Sequence, residues 1–312
     1  MMRGKLIKAV LGVVCGLSFS TAAHAQTAPA ATFRSGVDLV RVTAVVRDRK
    51  GRFVQDLTAR DFEVLEGTQH RPIADFRREN GGVSIALLFD VSGSMEGHLS
   101  QAREAAAHVL SWLEPRDEAA VYTFDTQLVE MTPFTNGLKT LPDVMQRVVP
   151  FGATSLHDAI AQTARRVAER EGRRHAVVVL TDGNDNASRL RPEEVSAIAS
   201  EIDVPVYIFG VVPSIDNPTE DVATTSADRS ALAGPLSDLA TWTGGHTFVA
   251  STPAQRSASA RQIVDELRHQ YLIAFESSGT PGWHPLVVRA RNKDLTVRAR
   301  SGYIAGQSRP SW

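Results

Sequence analysis

Cysteine is nearly missing from this chain. Of 312 residues one is a cysteine, Cys15, and it lies in the N-terminal stretch that reads as a leader. Once the leader is removed, no disulfide, zinc–thiolate site or cysteine nucleophile remains to be considered. A basic excess is also lacking, since 34 Lys and Arg stand against 35 Asp and Glu. Loss of Arg3, Lys5 and Lys8 with the leader leaves 31 basic residues, so no general attraction to nucleic acid or anionic lipid is expected. No apolar run approaches the about 20 residues that a spanning helix needs. The familiar catalytic strings are missing too: there is no Gly-x-Ser-x-Gly elbow, no Gly-x-x-x-x-Gly-Lys phosphate loop and no His-Glu-x-x-His. With none of these, an enzyme is not the expected reading.

What is present begins with a basic start (Arg3, Lys5, Lys8), a short apolar core from Ala9 to Phe19 and an Ala23-His24-Ala25 site. That order reads as a secretory signal peptide over 1–25, cleaved after Ala25, with an uncleaved anchor as the alternative. An exported protein, periplasmic or secreted, is expected. Residues 26–36 are small and polar, a flexible lead. Val37 to Val46 alternates apolar and polar residues as a half-buried strand does, and Asp61 to Glu66 and Ile73 to Phe76 continue a β segment over 37–82. From Val83 to His269 strands alternate with helices, the pattern of a doubly wound, mostly parallel α/β sheet. The strands are expected at Ala86–Phe89, Ala119–Phe124, Leu128–Met131, Ala176–Leu180, Val206–Val211 and Thr247–Val249. The helices are expected near Leu99–Leu113, Leu138–Val148, Ser155–Glu171, Pro192–Ser200, Pro235–Trp242 and Ala254–His269. Pro213 to Ser230 reads as a polar surface excursion. Residues 270–312 return to β runs, and the two flanks are expected to pack as one small β unit.

Two strings carry the chemistry. Asp90-Val91-Ser92-Gly93-Ser94 follows the apolar run Ala86–Phe89, and Thr181-Asp182-Gly183 follows Val177–Leu180. A buried strand that ends in a carboxylate and a tight turn places oxygen atoms at the carboxyl edge of the sheet, where open α/β sheets bind ligands. Gly152-Ala153-Thr154-Ser155 adds a third small-residue turn opening a helix. Two carboxylates and three hydroxyls, without sulfur or imidazole, suit a hard divalent cation, magnesium above all.

The pattern Asp90-x-Ser92-x-Ser94, Thr154 and Asp182 resembles the metal-ion-dependent adhesion site of von Willebrand factor type A domains, with all five motif positions matched over about Val83 to His269. The resemblance implies a Rossmann-like sheet and direct metal ligation by Ser92, Ser94 and Thr154. Asp90 and Asp182 would then act directly or through water. It also implies Mg2+ as the ion, with Mn2+ or Ca2+ as alternatives, and a protein partner that completes the site with an Asp or Glu. Bacterial exported relatives of this domain often carry β flanks and a closing string like Arg300-Ser301-Gly302-Tyr303.

Each position also has a plainer reading. Strand-end aspartates commonly cap helices. Ser155, with Asp158 three residues on, reads as a helix cap rather than a ligand. Asp185 and Asn186 read as a solvated turn, with extension of the polar rim as the alternative, Glu96 as an exposed helix-entry charge, and His98 and His157 as ordinary histidines at the surface or just behind the site. Trp242 and Gly244-Gly245 read as a helix end and its turn. The function expected is non-enzymatic recognition of an acidic group through a bound cation. The alternatives are an envelope assembly module in which the metal is incidental and, more remotely, a metal-dependent hydrolase.

Overall fold

The computed structural model describes residues 39–78, 81–170, 172–211, 232 and 234–305. The leader at 1–25, the lead at 26–36 and the excursion at 213–230 lie outside the described residues.

The centre of the molecule is a six-stranded sheet built around β5 (Val83–Asp90), each residue of which is buried. Alternate side chains of β5 serve opposite faces. Ile85, Leu87 and Phe89 join one core with α1 (Leu99–Trp112) and α5 (Pro253–Arg268). Ala86 and Leu88 join the other with α2 (Leu156–Ala168), α3 (Pro192–Glu201) and α4 (Pro235–Trp242). A strand covered on both faces has no polar side to show, which is why its sequence is an unbroken apolar run. β6 (Glu118–Phe124) lies on one side of β5 and β8 (Arg174–Thr181) on the other, both parallel to it. β9 (Val206–Val211) and β10 (Thr247–Ala250) extend the sheet in parallel beyond β8. β7 (Leu128–Asn136) closes the opposite edge as an antiparallel hairpin partner of β6. The chain leaves β5 toward β6 and later returns to its other side at β8. A switch point therefore sits at the carboxyl end of β5, where such sheets open a crevice. The fold is the α/β, mostly parallel one expected.

Two four-stranded sheets flank this unit. One has the order β13 (Thr296–Ala299), β1 (Leu39–Arg47), β11 (Gln270–Glu276), β4 (Ile73–Arg78). The other has the order β14 (Gly302–Ala305), β12 (Gly282–Ala290), β2 (Phe62–Glu66), β3 (Gln69–Arg71). Both mix strands from before and after the α/β unit, so the β-rich unit belongs to the two flanks jointly. Val42, Ala44, Phe62, Val64, Ile273, Phe275, Leu286 and Tyr303 fill the core the flanks share.

Several elements depart from the sequence reading. The helix expected over Leu138–Val148 is only a short 3-10 turn at Asp143–Arg147, entered through Pro142; Pro142 supplies no N–H to a helix running through it. The strand expected to stop at Met131 runs on to Asn136 through Pro133, which an edge strand tolerates because one of its sides needs no donors. The short strands β3 and β14 were not expected.

Candidate metal centre

β5 ends at Asp90, and its register against β8 sets Phe89 opposite Leu180, so Asp90 falls beside Thr181. The Asp90 carboxylate is buried and occupied on both oxygens. Oδ1 accepts from the Ser92 amide at 2.9 Å and from the Ser92 hydroxyl at 2.6 Å; Oδ2 accepts from the Thr181 hydroxyl at 2.7 Å. Ser92 Oγ and Ser94 Oγ lie 3.2 Å apart. A 3-10 turn at Gly93–Met95 holds this string, with Met95 plugged into the core beneath it.

The three strings are stitched together by main-chain bonds. Gly93 N–H donates to Gly152 O at 3.0 Å and Phe151 N–H to Val91 O at 2.8 Å. The Thr154 amide donates to Asn186 Oδ1 at 2.8 Å, and the Asn186 and Ala187 amides donate to Thr154 O. The structure thus brings Asp90, Ser92, Ser94, Thr154 and Asp182 to one edge of the sheet. Asp90, Ser92, Thr154 and Asp182 are buried, and Ser94 is exposed.

Burial pushes the Asp90 carboxyl up to about 6, against the hydrogen bonds from Ser92 and Thr181, and the nearby Asp182 charge pushes the same way. A buried carboxylate facing a second carboxylate, with only hydroxyl and amide donors around it, is short of positive charge. Among the described residues no hydrogen bond engages the Thr154 hydroxyl, and only one Asp182 oxygen, Oδ1, is engaged, by the Asn184 amide at 3.1 Å. Also among the described residues, no three His, Cys, Asp or Glu side chains gather as a metal cluster. Any ion here would rest on hydroxyls and few charges, which fits a cation that keeps its water, such as Mg2+.

Several bracing contacts escaped the sequence reading. Ser155 stands at the N-cap of α2, but its side chain makes no cap bond. The donors there go instead to Asp185 Oδ2, 3.0 Å from the His157 amide, and to Ser188 Oγ, 3.0 Å from the same amide. Asp185 also pairs with His157 Nδ1 at 2.6 Å. Burial opposes its ionisation, but these bonds outweigh burial and hold its carboxyl well below the usual range. Asp158 accepts from the amides of Arg189 and Leu190. The Asp185–Ser188 turn, exposed at Asn186 and Ala187 as a solvated turn is, also braces Thr154 and the first turn of α2. Thr181 carried a sequence signal as part of its string, and Asp158, Asp185 and Asn186 as cap and turn residues, whereas Ser188 carried none. Glu96 is exposed as expected, while His98 reaches Val211 O through Nδ1 at 3.1 Å.

A doubly wound α/β domain with carboxylates and hydroxyls gathered at the switch point of its sheet defines a recognisable class. Residues 84–255, more than half of the chain, match the von Willebrand factor type A domain, and the chain belongs to that family. It is similar to inter-alpha-trypsin inhibitor heavy chain H3 of Pongo abelii (29% identical) and of Homo sapiens (28% identical), over 129 residues in each case. That match covers 36% of this chain and 14% of each relative, so the chain spans a small part of their length. Among solved structures it is similar to BatB from Bacteroides thetaiotaomicron (20% identity, TM-score 0.47, covering 59% of this chain and 98% of that one). It is also similar to a von Willebrand factor type A protein from Catenulispora acidiphila (13% identity, TM-score 0.46, covering 88% and 76%). No helix among the described residues is long and apolar enough to cross a membrane.

Proposed function

We propose that the protein is a non-enzymatic binding module that recognises an acidic group on a protein partner through a divalent cation held at the edge of its sheet. The observation that supports this most is the buried Asp90 carboxylate, which faces Asp182 and, among the described residues, forms no ion pair with a cationic side chain. The hydroxyls of Ser92, Ser94 and Thr154 would hold the ion, and Asp90 and Asp182 would supply the negative charge. A magnesium ion so held offers a Lewis-acidic position that a partner's carboxylate can take. The chain's own residues do the rest. Thr181 and Ser92 fix the Asp90 carboxylate, Asn186 fixes Thr154, and Met95 fixes the turn that presents Ser94.

The type A domain in this reading is residues 83–269, carried on a β support formed by 37–82 and 270–312. The leader read at 1–25 would deliver it to the periplasm or the medium. Desolvation of the ion–carboxylate pair would give affinity, and the loops around it selectivity.

Calorimetric titration of Mg2+, then Mn2+, into chelator-stripped protein tests the reading. Saturable binding is expected, abolished by Asp90→Ala while the circular dichroism spectrum stays native. Equal heats from wild type and variant would defeat it.

A further inference from the structure

Val149 and Phe151 are 78% and 81% exposed, the highest values for large apolar side chains among the described residues. Both belong to the connection that leads into Thr154. Isolated exposed apolar residues are ordinary, but the main chain beneath these two is fastened on every side. Arg103 Nη2 on α1 holds Val148 O at 2.9 Å, Phe151 N–H holds Val91 O at 2.8 Å, and Gly152 O takes the Gly93 N–H at 3.0 Å. Val148 itself turns inward and packs on the core shared with α1. The segment therefore sends one side chain in and holds its two neighbours out, and it does so beside the site. Val91, which receives the Phe151 amide, is the residue directly after Asp90.

Resting on the cation-bridged reading above, we propose that the recognised segment of the partner carries an aromatic or branched aliphatic side chain within one or two residues of its Asp or Glu. That side chain lies over Val149 and Phe151 while the carboxylate takes the cation. In an extended chain side chains two residues apart share one face and stand about 6.6 Å apart, so a segment crossing the rim can turn its acidic and its apolar side chain to the same surface. The acidic group alone would make every exposed Asp or Glu a partner. The apolar rim adds the discrimination the charge lacks. Covering an aromatic ring of this size changes affinity by about ten- to a hundredfold.

The test pans a displayed library of short random peptides on the full chain in Mg2+, elutes with chelator, and repeats this on the double variant Val149→Ser/Phe151→Ser. The expected result on wild type is enrichment of peptides with Asp or Glu next to, or one removed from, Phe, Tyr, Trp, Leu or Ile. On the variant the acidic residue should persist and the apolar preference vanish, with the best wild-type peptide about ten- to a hundredfold weaker. Unchanged Mg2+ heats and circular dichroism would certify the variant. Acidic peptides without an apolar preference on wild type, or the same preference on the variant, would overturn the proposal and leave the cation reading standing. Absence of chelator-sensitive enrichment on wild type would overturn both.

Discussion

At the scale of single residues the buried carboxylate of Asp90 works against the fold. Asp90 sits in a fully buried position with its ordinary ionisation displaced to about 6, so at neutral pH its charge is an expense to the cation-free fold. The sign follows from linkage: a carboxyl raised above 3.8 in the folded state destabilises the fold as the pH rises through 6. Asp90→Asn removes the charge while keeping the shape. Its amide oxygen can take both Ser92 donors, and its NH2 can donate to Thr181 Oγ1. In chelator at pH 7.5 the variant is expected to melt at or above the wild-type temperature. At saturating Mg2+ the order should invert, because a ligand at about a hundred times its Kd adds about 2.7 kcal/mol to the wild type alone. Thermal melts in chelator and in Mg2+ read both. A variant less stable than wild type in chelator would mean that Asp90 serves the fold rather than an ion. The five motif residues were legible because they are local strings whose residue types and order carry the chemistry. The bracing contacts of Thr181, Asp185, Asn186 and Ser188 were not, because they depend on partners 91, 28, 32 and 31 positions away in the chain, respectively.

At the scale of elements the same distinction explains what the sequence reading reached. Strands β5 and β8 announce themselves by runs buried on two faces, and β1 by its alternation. The stretch at 138–148 has apolar residues at helical intervals, yet Pro142 interrupts it and it turns once rather than winding. The closing Arg300-Ser301-Gly302-Tyr303 string looked like a family mark, and in the fold each member has a job. Arg300 lies buried against Arg41 O and Asp203, and the Ser301 amide bonds Trp242 O at 3.1 Å. A Cβ on Gly302 would meet the Trp283 ring at 2.2 Å, and the Tyr303 hydroxyl donates to Glu66 at 2.9 Å. A comparable device joins elements at the amino-terminal end of β5. Asp117 accepts from the Val83 amide at 2.9 Å, the Glu114 amide at 2.8 Å and Arg268 Nη2 at 2.9 Å, tying β5, the α1–β6 turn and the end of α5. Burial works against its ionisation, but these donors outweigh burial and hold the carboxyl below its ordinary 3.8. Its contribution is thus complete above 3.8 and is lost as the pH falls through the lower folded value. Asp117→Asn should cost about 1–3 kcal/mol at pH 7, and the gap to wild type should narrow progressively as urea titrations are taken below pH 3.8. A gap independent of pH would assign the loss to packing.

At the scale of the whole molecule the question is whether the flanking strands merely adjoin the α/β unit or move with it. Only His269 separates α5 from β11, and β11 is an inner strand held between β1 and β4. Charge reinforces that covalent link. Glu266, fully buried on α5, pairs with Arg47 of β1 at 3.0 Å and with Arg298 of β13. Asp203, just past α3, faces Arg300 at 3.7 Å and receives the Thr43 hydroxyl of β1 at 3.5 Å. Both carboxylates come from the α/β unit and, among the described residues, their arginine partners come from the flanks, so unfolding the flanks alone would strand the fully buried Glu266 charge and take from half-buried Asp203 its guanidinium, leaving it only the more distant His175. A single cooperative transition is therefore expected for the wild type, with amides of β1 and β5 exchanging at one common free energy. The double variant Glu266→Gln/Asp203→Asn removes that penalty at small structural cost, since asparagine tolerates the left-handed backbone at position 203, where φ is +54°. In it, hydrogen exchange should show β1 and β13 opening at least 1–2 kcal/mol below β5 and β8. If instead all four strands lost protection together, the coupling would lie in the β11 connection and the apolar contacts, and the buried charges would be contributors to stability without being the bolt between the two units.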